Sequence, residues 1–315
     1  MMQSHTDISQ YPELKRIVEL IAAENPLQHK RIDAFLGQQE AAYFKFAEGL
    51  SRKLNHSLLQ SDKDRLNAAR SYNHTCMEIL REQIRFRKAG TYLIQSAEIA
   101  EQTVYSQKER MRAYIVGLLL SYLFWPNHYE MFQFYLSYLR GIRVERCLEV
   151  GAGHGLFTAE ILRQFPAVAL DLIDISAASI EVAFEILDAF GIDRSRIHCL
   201  HADFMHAPLT PGTFDCVVMG EVLEHVNDAL AFLVKARQFL RPKGTIFMTT
   251  CVNCPAPDHV YHFHTVAEIR DLIQSARLCI QKEQALPAEP VPEELWQKEL
   301  TTINYSAILA IAEPA

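Results

Sequence analysis

Three glycines at alternate positions follow a short apolar run and an acidic residue. The motif reads E-V-G-A-G-H-G, with Glu149 followed by Gly151, Gly153 and Gly155, and a helix-compatible segment, Leu156 to Phe165, comes next. Glycine permits positive φ and lets a ligand lie against bare backbone, and the helix N-terminus behind such a turn offers free N–H groups. The pattern therefore predicts a strand, a tight turn and a helix that together bind a nucleotide-like cofactor.

The spacing of the glycines and the charge of the acid narrow the choice of cofactor. The spacing is G-x-G-x-G, whereas the dinucleotide fingerprint is G-x-G-x-x-G. Glu149 stands two residues before Gly151, where it would repel a pyrophosphate and tolerate a cation. The motif resembles motif I of the class I S-adenosylmethionine (SAM)-dependent methyltransferases, whose cofactor carries a sulfonium and an ammonium and no phosphate. The alternative is a glycine-rich turn in another kind of α/β protein.

A second acid follows at the interval that a βαβ unit requires. The apolar run Val168 to Ile175 contains Asp174, which lies 23 positions after Gly151. This interval places an acid beside ribose hydroxyls, and a carboxylate can accept hydrogen bonds from both of them. We therefore expect Asp174 and its neighbour Ile175 at the cofactor. Either Asp174 or Ser176 could instead cap the helix that follows.

Three later segments match the same family in order and spacing. After the third apolar run come Asp203 and Phe204, where the resemblance implies an acid on the adenine amino group and a side chain packed on the ring. The fourth run leads into G-E-V-L-E-H-V, which is similar to the motif after strand four in small-molecule and quinone O-methyltransferases. It implies that Gly220 and Glu221 contact the cofactor. The fifth run, Gly244 to Thr250, completes the series.

The resemblance implies an α/β fold, with a Rossmann-like seven-stranded sheet. We expect strand six near Cys279 to Gln284 and strand seven near Tyr305 to Ile311, with strand seven antiparallel between strands five and six. Before residue 140, apolar residues recur at three- and four-residue intervals, as in Phe35 to Leu50. We therefore expect residues 1–140 to form an all-helical lid and specificity domain, and residues 141–315 to form the SAM-binding domain.

Several polar residues could hold the cofactor or act as a base. Relatives fold the segment before strand one over the methionine part of SAM, so Asn127 could hydrogen-bond its carboxylate. A base is needed only if the acceptor has a proton to lose, and neutral imidazole is available near pH 7. The candidates for the base are His225, His259, His262 and Tyr129, and the sequence does not choose among them. Each could instead be a packing or capping residue.

Cysteine usage predicts neither a metal nor a disulfide framework. Cys251 and Cys254 form the one C-x-x-C, without a second pair or a histidine pair at zinc spacing, so we expect no metal and a place in or under the substrate pocket. Seven cysteines, an odd number without a framework, indicate reduced thiols in a cytoplasm.

Charge and apolar patterning exclude other classes of partner. The formal net charge of −7 argues against a nucleic-acid substrate, which normally requires a basic face. The polar N-terminus, Met1 to Gln10, lacks the apolar core of a signal peptide, and Ile115 to Trp125 is too short to span a bilayer. Tyr114 to Leu123 could be a core helix or the face of a homodimer formed through the N-terminal helices.

The resemblance implies a SAM-dependent methyltransferase acting on a small, biosynthetic acceptor. A second hypothesis keeps the fold and changes the reaction, because a nucleophile could attack the aminocarboxypropyl chain of SAM. If that nucleophile were the amine of SAM itself, the chain would cyclise and release methylthioadenosine. A third hypothesis is a non-catalytic SAM-binding protein.

Overall fold

Helices form the first part of the chain. The computed structural model describes residues 7–105 and 107–313, so the first six residues of the polar N-terminal segment lie outside the described residues. Within them, the helices that precede the first strand are α1 (Pro12–Glu24), α2 (Pro26–Leu36), α3 (Ala41–Ser57), α4 (Asp62–Ala89), α5 (Ala97–Ala100), α6 (Lys108–Phe124) and α7 (Pro126–Arg140).

Local signals in the sequence explain where several of these helices begin and end. Ser61 and Asp64 form a capping box at the start of α4, and Gly90 ends that helix in the left-handed conformation. Pro126 occupies the first turn of α7, where its missing N–H is not needed. The structure places a turn inside Phe35 to Leu50, which the periodicity had predicted as one helical piece.

That turn lets two aromatic residues meet. The rings of Phe35 and Tyr43 are 5.2 Å apart, centroid to centroid, at an angle of 86°. In a continuous helix the rise between these positions would be about 12 Å. One helix therefore ends at Leu36 and the next begins at Ala41, because packing the two apolar faces together lowers the free energy more than continuing the helix would.

The second part alternates strands with helices. The strands are β1 (Arg146–Val150), β2 (Ala169–Asp174), β3 (Ile197–His201), β4 (Phe214–Gly220), β5 (Leu240–Val252), β6 (Leu278–Pro287) and β7 (Ile303–Ile311). The helices between them are α8 (Leu156–Gln164), α9 (Ala177–Ala189), α10 (Ala229–Phe239) and α11 (Val266–Ser275). The sheet order is β3-β2-β1-β4-β5-β7-β6, and β7 is antiparallel to both of its neighbours. This confirms the predicted α/β topology.

The last two strands are longer than the sequence pattern indicated. Antiparallel pairing of β6 with β7 continues as far as Pro287 and Ile303. A proline is tolerated there because it lies at the end of an edge strand, where its missing N–H removes no ladder bond from the interior.

The helical part and the sheet share a continuous apolar core. One cluster of buried side chains includes Leu123 of α6, Tyr135 of α7, Leu172 of β2 and Phe247 of β5. The Tyr135 hydroxyl also donates to the carbonyl of Phe157 at 3.0 Å. Because most of Tyr114 to Leu123 is buried inside the chain, this segment serves as a core helix, and a homodimer through the N-terminal helices stays a prediction. No helix of the described residues has the length and apolarity needed to cross a bilayer.

We expect Gly155→Ala to destabilise the fold more than Gly191→Ala. Both glycines have positive φ, +72° and +66°, which costs an alanine about 1–2 kcal/mol. A Cβ at Gly155 would lie 3.0 Å from the Cα of Ala183 in α9, whereas a Cβ at Gly191 would meet nothing within 4 Å. The clash adds about 1–3 kcal/mol. Urea denaturation measures both losses of unfolding free energy, and equal losses would contradict the predicted close packing of α8 and α9.

Candidate functional site

A cavity of about 1040 Å³ lies where the carboxyl ends of the parallel strands meet the N-terminal helices. Ligands in open α/β sheets bind at this edge, next to the point where the strand order reverses. Residues of the turn after β1 and of the ends of β2 and β4 line one side, and residues of α2, α4 and α6 line the other. The topology therefore joins the predicted cofactor motifs to the helical part of the chain in one cavity.

The glycine turn after β1 lines this cavity through two of its three glycines. Gly151 and Gly153 have φ values of +81° and +49° and border the cavity. A Cβ on Gly153 would meet nothing within 4 Å, so bare backbone faces open space there. Gly155, predicted to bind the cofactor, does not line the cavity, because it lies against Ala183 of α9.

Glu149 lies under the turn instead of facing the cavity. It is 1% exposed, and its carboxylate accepts a hydrogen bond from the Thr158 hydroxyl at 2.5 Å. Burial raises the pKa of Glu149 to about 8, and the nearby Asp174 adds to the increase. The acid that suggested a cationic ligand is therefore bonded to α8 and does not line the cavity.

Asp174 lines the cavity and joins two backbone segments. Its carboxylate accepts from the N–H of Ala152 and from the N–H of Ser176, both at 2.7 Å. Burial raises the pKa of Asp174, and these hydrogen bonds oppose the increase. The N–H of Gly153 is a third backbone donor to this carboxylate, which leaves one of its roughly four acceptor sites for a ribose hydroxyl. Ser176, and not Asp174, caps α9, because its hydroxyl accepts from the N–H of Ser179.

The other predicted cofactor residues also reach the cavity. Ile175 is 47% exposed beside Asp174. The carboxylate of Asp203 accepts from the N–H of Met205 at 2.8 Å, and the buried Phe204 ring packs 5.4 Å from that of Phe232. Asp203 and Phe204 thus stand at one end of the cavity, where the resemblance predicts the adenine.

Gly220 and Glu221 mark the end of β4. Glu221 has a φ of +54°, an uncommon conformation for a residue with a side chain. Its N–H donates to the Thr249 hydroxyl at 2.9 Å, and its buried Oε1 has no hydrogen-bond partner among the described residues. Burial raises the pKa of the Glu221 carboxyl. The open backbone at Gly153 fits the close approach of a cofactor, and the buried, unpaired Oε1 of Glu221 would be stabilised in its ionised form by a positive charge in the cavity.

His225 lies in the cavity wall within a network of polar side chains. Its Nδ1 is 3.2 Å from the backbone carbonyl of Asp258 and 3.0 Å from the hydroxyl of Tyr105. The hydroxyls of Tyr105 and Tyr114 both donate to the Asp258 carboxylate, which is 2% exposed. Because a carbonyl only accepts, Nδ1 carries a proton, so the neutral form of this ring has its lone pair on Nε2.

His259 lies next to His225 in the same wall. The two rings are 4.8 Å apart, at an angle of 89°. Nδ1 of His259 is 2.6 Å from the carbonyl of Cys254, so this ring also keeps its lone pair on Nε2. Burial lowers the pKa of His259 to about 4, with a smaller effect from His225, so the ring is neutral at pH 7.

Three of the residues predicted from the sequence lie elsewhere or have other partners. Tyr129 does not line the cavity, because its ring packs against Tyr43, 5.1 Å away, in the helical core. His262 also lies outside the cavity, and its Nε2 is 2.8 Å from Oδ1 of Asn253. Asn127 lines the cavity, and its amide donates to the Leu286 carbonyl and to Oδ1 of Asn304. The tertiary structure therefore brings His225 and His259 together in the wall, without Tyr129 or His262.

Potential metal ligands occur in the same region. The ligand atoms of Glu224, His225 and His259 lie within 4.8 Å of one another, as do those of Cys251, Cys254 and His259. The first set joins residues from two separate loops, which spacing in the sequence could not reveal, whereas Cys251, Cys254 and His259 all lie at the end of β5 or in the loop that follows it. Cys254 lines the cavity and Cys251 is buried behind it. The expectation that the site uses no metal stays a prediction.

Three histidines of the cavity wall are not among the predicted site residues, namely His154, His128 and His206. His154 lies inside the glycine turn, and its Nδ1 accepts from the N–H of Leu156 at 3.2 Å. His128 follows Trp125 at the start of α7, and its Nδ1 is 2.6 Å from the Ser121 hydroxyl. Burial lowers the pKa of His154 to about 4 and that of His128 to about 3. A histidine among the three glycines was the one available signal.

Comparisons with known proteins agree with this geometry. A family described as a methyltransferase domain matches residues 148–246. The ubiquinone biosynthesis O-methyltransferase of Xanthomonas campestris pv. campestris (strain B100) is 26% identical over 191 residues, covering 51% of this chain and 74% of that protein. The match to the family includes the glycine turn, the acid that ends β2 and the motif after β4.

Solved structures share the fold. The N-methyltransferase NodS from Bradyrhizobium japonicum WM9, in complex with S-adenosyl-L-homocysteine, aligns with a TM-score of 0.51 at 19% identity, covering 67% of this chain and 99% of that one. Phosphoethanolamine N-methyltransferase 2 of Haemonchus contortus, in complex with SAM, aligns with a TM-score of 0.53 at 12% identity, covering 70% and 61%.

We expect Glu149→Gln to stabilise the cofactor-free protein at high pH relative to the wild type. The folded-state pKa of Glu149 is raised to about 8 from 4.5, so its contribution to stability is fully present below pH 4.5 and is lost as the pH rises towards 8. The loss is up to about 1.4 kcal/mol per pH unit. Glutamine has no charge to bury, and its oxygen can still accept from Thr158.

Urea denaturation at pH 5 and pH 8 measures this effect. The difference in unfolding free energy between variant and wild type should increase from pH 5 to pH 8. The exposed Glu294 offers the matched control, and Glu294→Gln should show no such increase. A flat difference for both variants would show that Glu149 is ionised in the folded protein.

Proposed function

Because this chain belongs to the class I SAM-dependent methyltransferases and uses S-adenosylmethionine as its cofactor, we propose that it methylates a small biosynthetic molecule. The observation that supports the small acceptor is the cavity itself. It continues from the glycine turn into the space between α2, α4 and α6, which encloses a molecule on several sides. Residues 1–140 would then act as the lid and specificity region of a SAM-binding domain formed by residues 141–315.

Each predicted cofactor residue in the cavity has a chemical part in this proposal. Gly151 and Gly153 offer backbone that the cofactor can approach closely, and Asp174 offers a lone pair to ribose. Glu221 offers an unpaired carboxyl oxygen, and a cation nearby would favour its ionised form. Asn127 offers a side chain to the methionine carboxylate after exchanging one of its present partners.

Methyl transfer requires that the protein position the acceptor and, where the acceptor has a proton to lose, that it provide a base. The bound cofactor supplies a methyl group activated by its positive sulfur. The residues of the wall hold an acceptor in line with that methyl group, and such positioning supplies much of the rate. If the acceptor carries a proton, His225 takes it on Nε2, while the Asp258 carbonyl holds the proton on Nδ1. His259, neutral beside it, is the second candidate for the base.

The remaining parts of the proposal concern partners and location. The net charge of −7 supports the absence of a nucleic-acid partner. The seven cysteines, an odd number without a disulfide framework, support a cytoplasmic location. The side-chain reaction of SAM and a non-catalytic role stay as alternatives, and the analysis of reaction products distinguishes them.

We expect S-adenosylhomocysteine to form when the full chain is incubated with SAM and a low-molecular-mass metabolite fraction. Mass spectrometry should also show one metabolite that has become heavier by one methylene unit. Methylthioadenosine formed without any acceptor would indicate attack on the aminocarboxypropyl chain. Methylation of protein or RNA fractions alone would contradict the small-molecule acceptor.

We expect His225→Gln to lower kcat by about 10²–10⁴-fold once an acceptor with a labile proton is known, because glutamine cannot take up that proton. The dissociation constant of SAM, measured by calorimetry, should change little. His264→Gln is the matched control, since that side chain is exposed in the loop after β5. An unchanged kcat in His225→Gln would exclude His225 as the base and leave His259 for the same test.

A further inference from the structure

The part of the cavity that lies among α2, α4 and α6, here called the helical chamber, has a mainly apolar wall. Side chains from all three helices form it, among them Ile32, Phe35, Ile79, Leu80, Ile115 and Leu118. An apolar wall favours an apolar body in the ligand, because burial removes its surface from water. None of the cofactor motifs lies in this chamber, so it is free to take the acceptor.

One face of α2 brings two polar donors into this apolar chamber. Gln28 and Arg31 are three residues apart, which places them side by side on the helix, and both line the cavity. Gln28 is 6% exposed, and its side-chain amide has no hydrogen-bond partner among the described residues. Arg31 is an exposed residue at the cavity wall and forms no ion pair within those residues. Both side chains therefore present N–H donors to the cavity, and the pair is suited to a ligand that brings acceptor oxygens.

Arg31 is the one lysine or arginine of the cavity wall in the described part of the chain. Burial raises the pKa of Cys76 in α4 to about 11, and the positive charge of Arg31 opposes this increase. The positive charge of Arg31 therefore influences Cys76, which lines the cavity. Acids also line the cavity, but from other segments. Glu289 lies 3.6 Å from Arg87, and Glu98 accepts from the Asn227 amide.

A continuous series of aromatic contacts runs from Tyr72 of α4, on which the charge of Arg31 acts, to the glycine turn. The indole N–H of Trp125 donates to the Tyr72 hydroxyl at 3.0 Å, and the Trp125 ring lies 4.8 Å from that of His128. Tyr122 contacts His128 at 5.1 Å and His154, in the glycine turn, at 4.8 Å. A ligand that reaches from the turn to Arg31 must extend past this series of rings, so it is elongated.

We propose that the acceptor is an elongated, mainly apolar molecule with one anionic group, a carboxylate or a phosphate, that Arg31 and Gln28 bind at the end of the chamber away from the glycine turn. The inference rests on the proposed function in taking the chamber as the acceptor site. Arg31 supplies charge and a fork of N–H donors, which match either anion. Gln28 adds a neutral N–H.

Calorimetric titration of the full chain saturated with S-adenosylhomocysteine tests the anion site. The probes are decanoate, decyl phosphate and 1-decanol, which share an apolar chain and differ in the head group. We expect the two anions to bind at least about tenfold more tightly than the alcohol, as for a hydrogen bond to a charged group. The tighter of the two anions identifies the head group.

Two variants of α2 assign that preference to one residue. Arg31→Gln should remove the advantage of the anions while leaving the affinity for 1-decanol unchanged. Lys30→Gln makes the same change of charge at the adjacent exposed position and should keep the advantage. The proposal is overturned if the wild type binds the alcohol as tightly as the anions, if no probe binds, or if both variants lose the preference equally.

The titration tests the anion site independently of the product analysis, which tests the proposed methyl transfer. The titration requires no methyl transfer, and unchanged binding of S-adenosylhomocysteine shows that Arg31→Gln is folded. Loss of the anion preference in that variant, in a protein that yields no methylated product, would support the anion site and reject the proposed reaction.

Discussion

One buried carboxylate joins the two segments on which the cofactor site depends. Asp174, at the end of β2, accepts from the N–H of Ala152 in the glycine turn and from the N–H of Ser176 before α9. Taking a carboxylate out of water is costly, and the two backbone donors offset that cost. The turn after β1 is thus held in position by the neighbouring strand, and the same acid stays available to a ribose.

A second connection holds the opposite wall. The carbonyl of Glu224, in the motif after β4, accepts from the N–H groups of Val260 and Tyr261 at 2.7 and 2.9 Å. These bonds fix the loop after β5, and the loop in turn holds Asp258 and His259 beside His225. The positions of the two candidate bases therefore depend on backbone pairing between two loops, while a carbonyl at Nδ1 of each ring fixes the ring orientation.

The N-terminal helices complete the site because they share the core of the sheet. Tyr135 of α7 packs against Phe157 and Phe247, and the aromatic series from Tyr72 to His154 continues the wall of the cavity into the helical part. Helices that are packed in this way set the shape of one side of the cavity.

The sequence by itself determined the fold class and the sheet topology, and most of its predicted cofactor residues line the cavity. These depend on local patterns, namely the glycine turn, acids at the ends of strands and the order of five motifs, and each is read over a few residues. The sequence could not decide between Asp174 and Ser176 as the cap of α9, because both types of side chain suit that position. It also placed Glu149 and Gly155 at the cofactor, where the structure gives them supporting roles.

Only the tertiary structure decided which residues share the cavity. His225 and His259 meet, while Tyr129 packs into the helical core and His262 turns towards Asn253, because contacts between distant segments orient these side chains. Tertiary contacts also explain the break between α2 and α3. Helical periodicity in the sequence does not show where the chain must turn so that two apolar faces can pack together. Local sequence specifies elements and their turns, and the packing of those elements specifies which side chains face a common space.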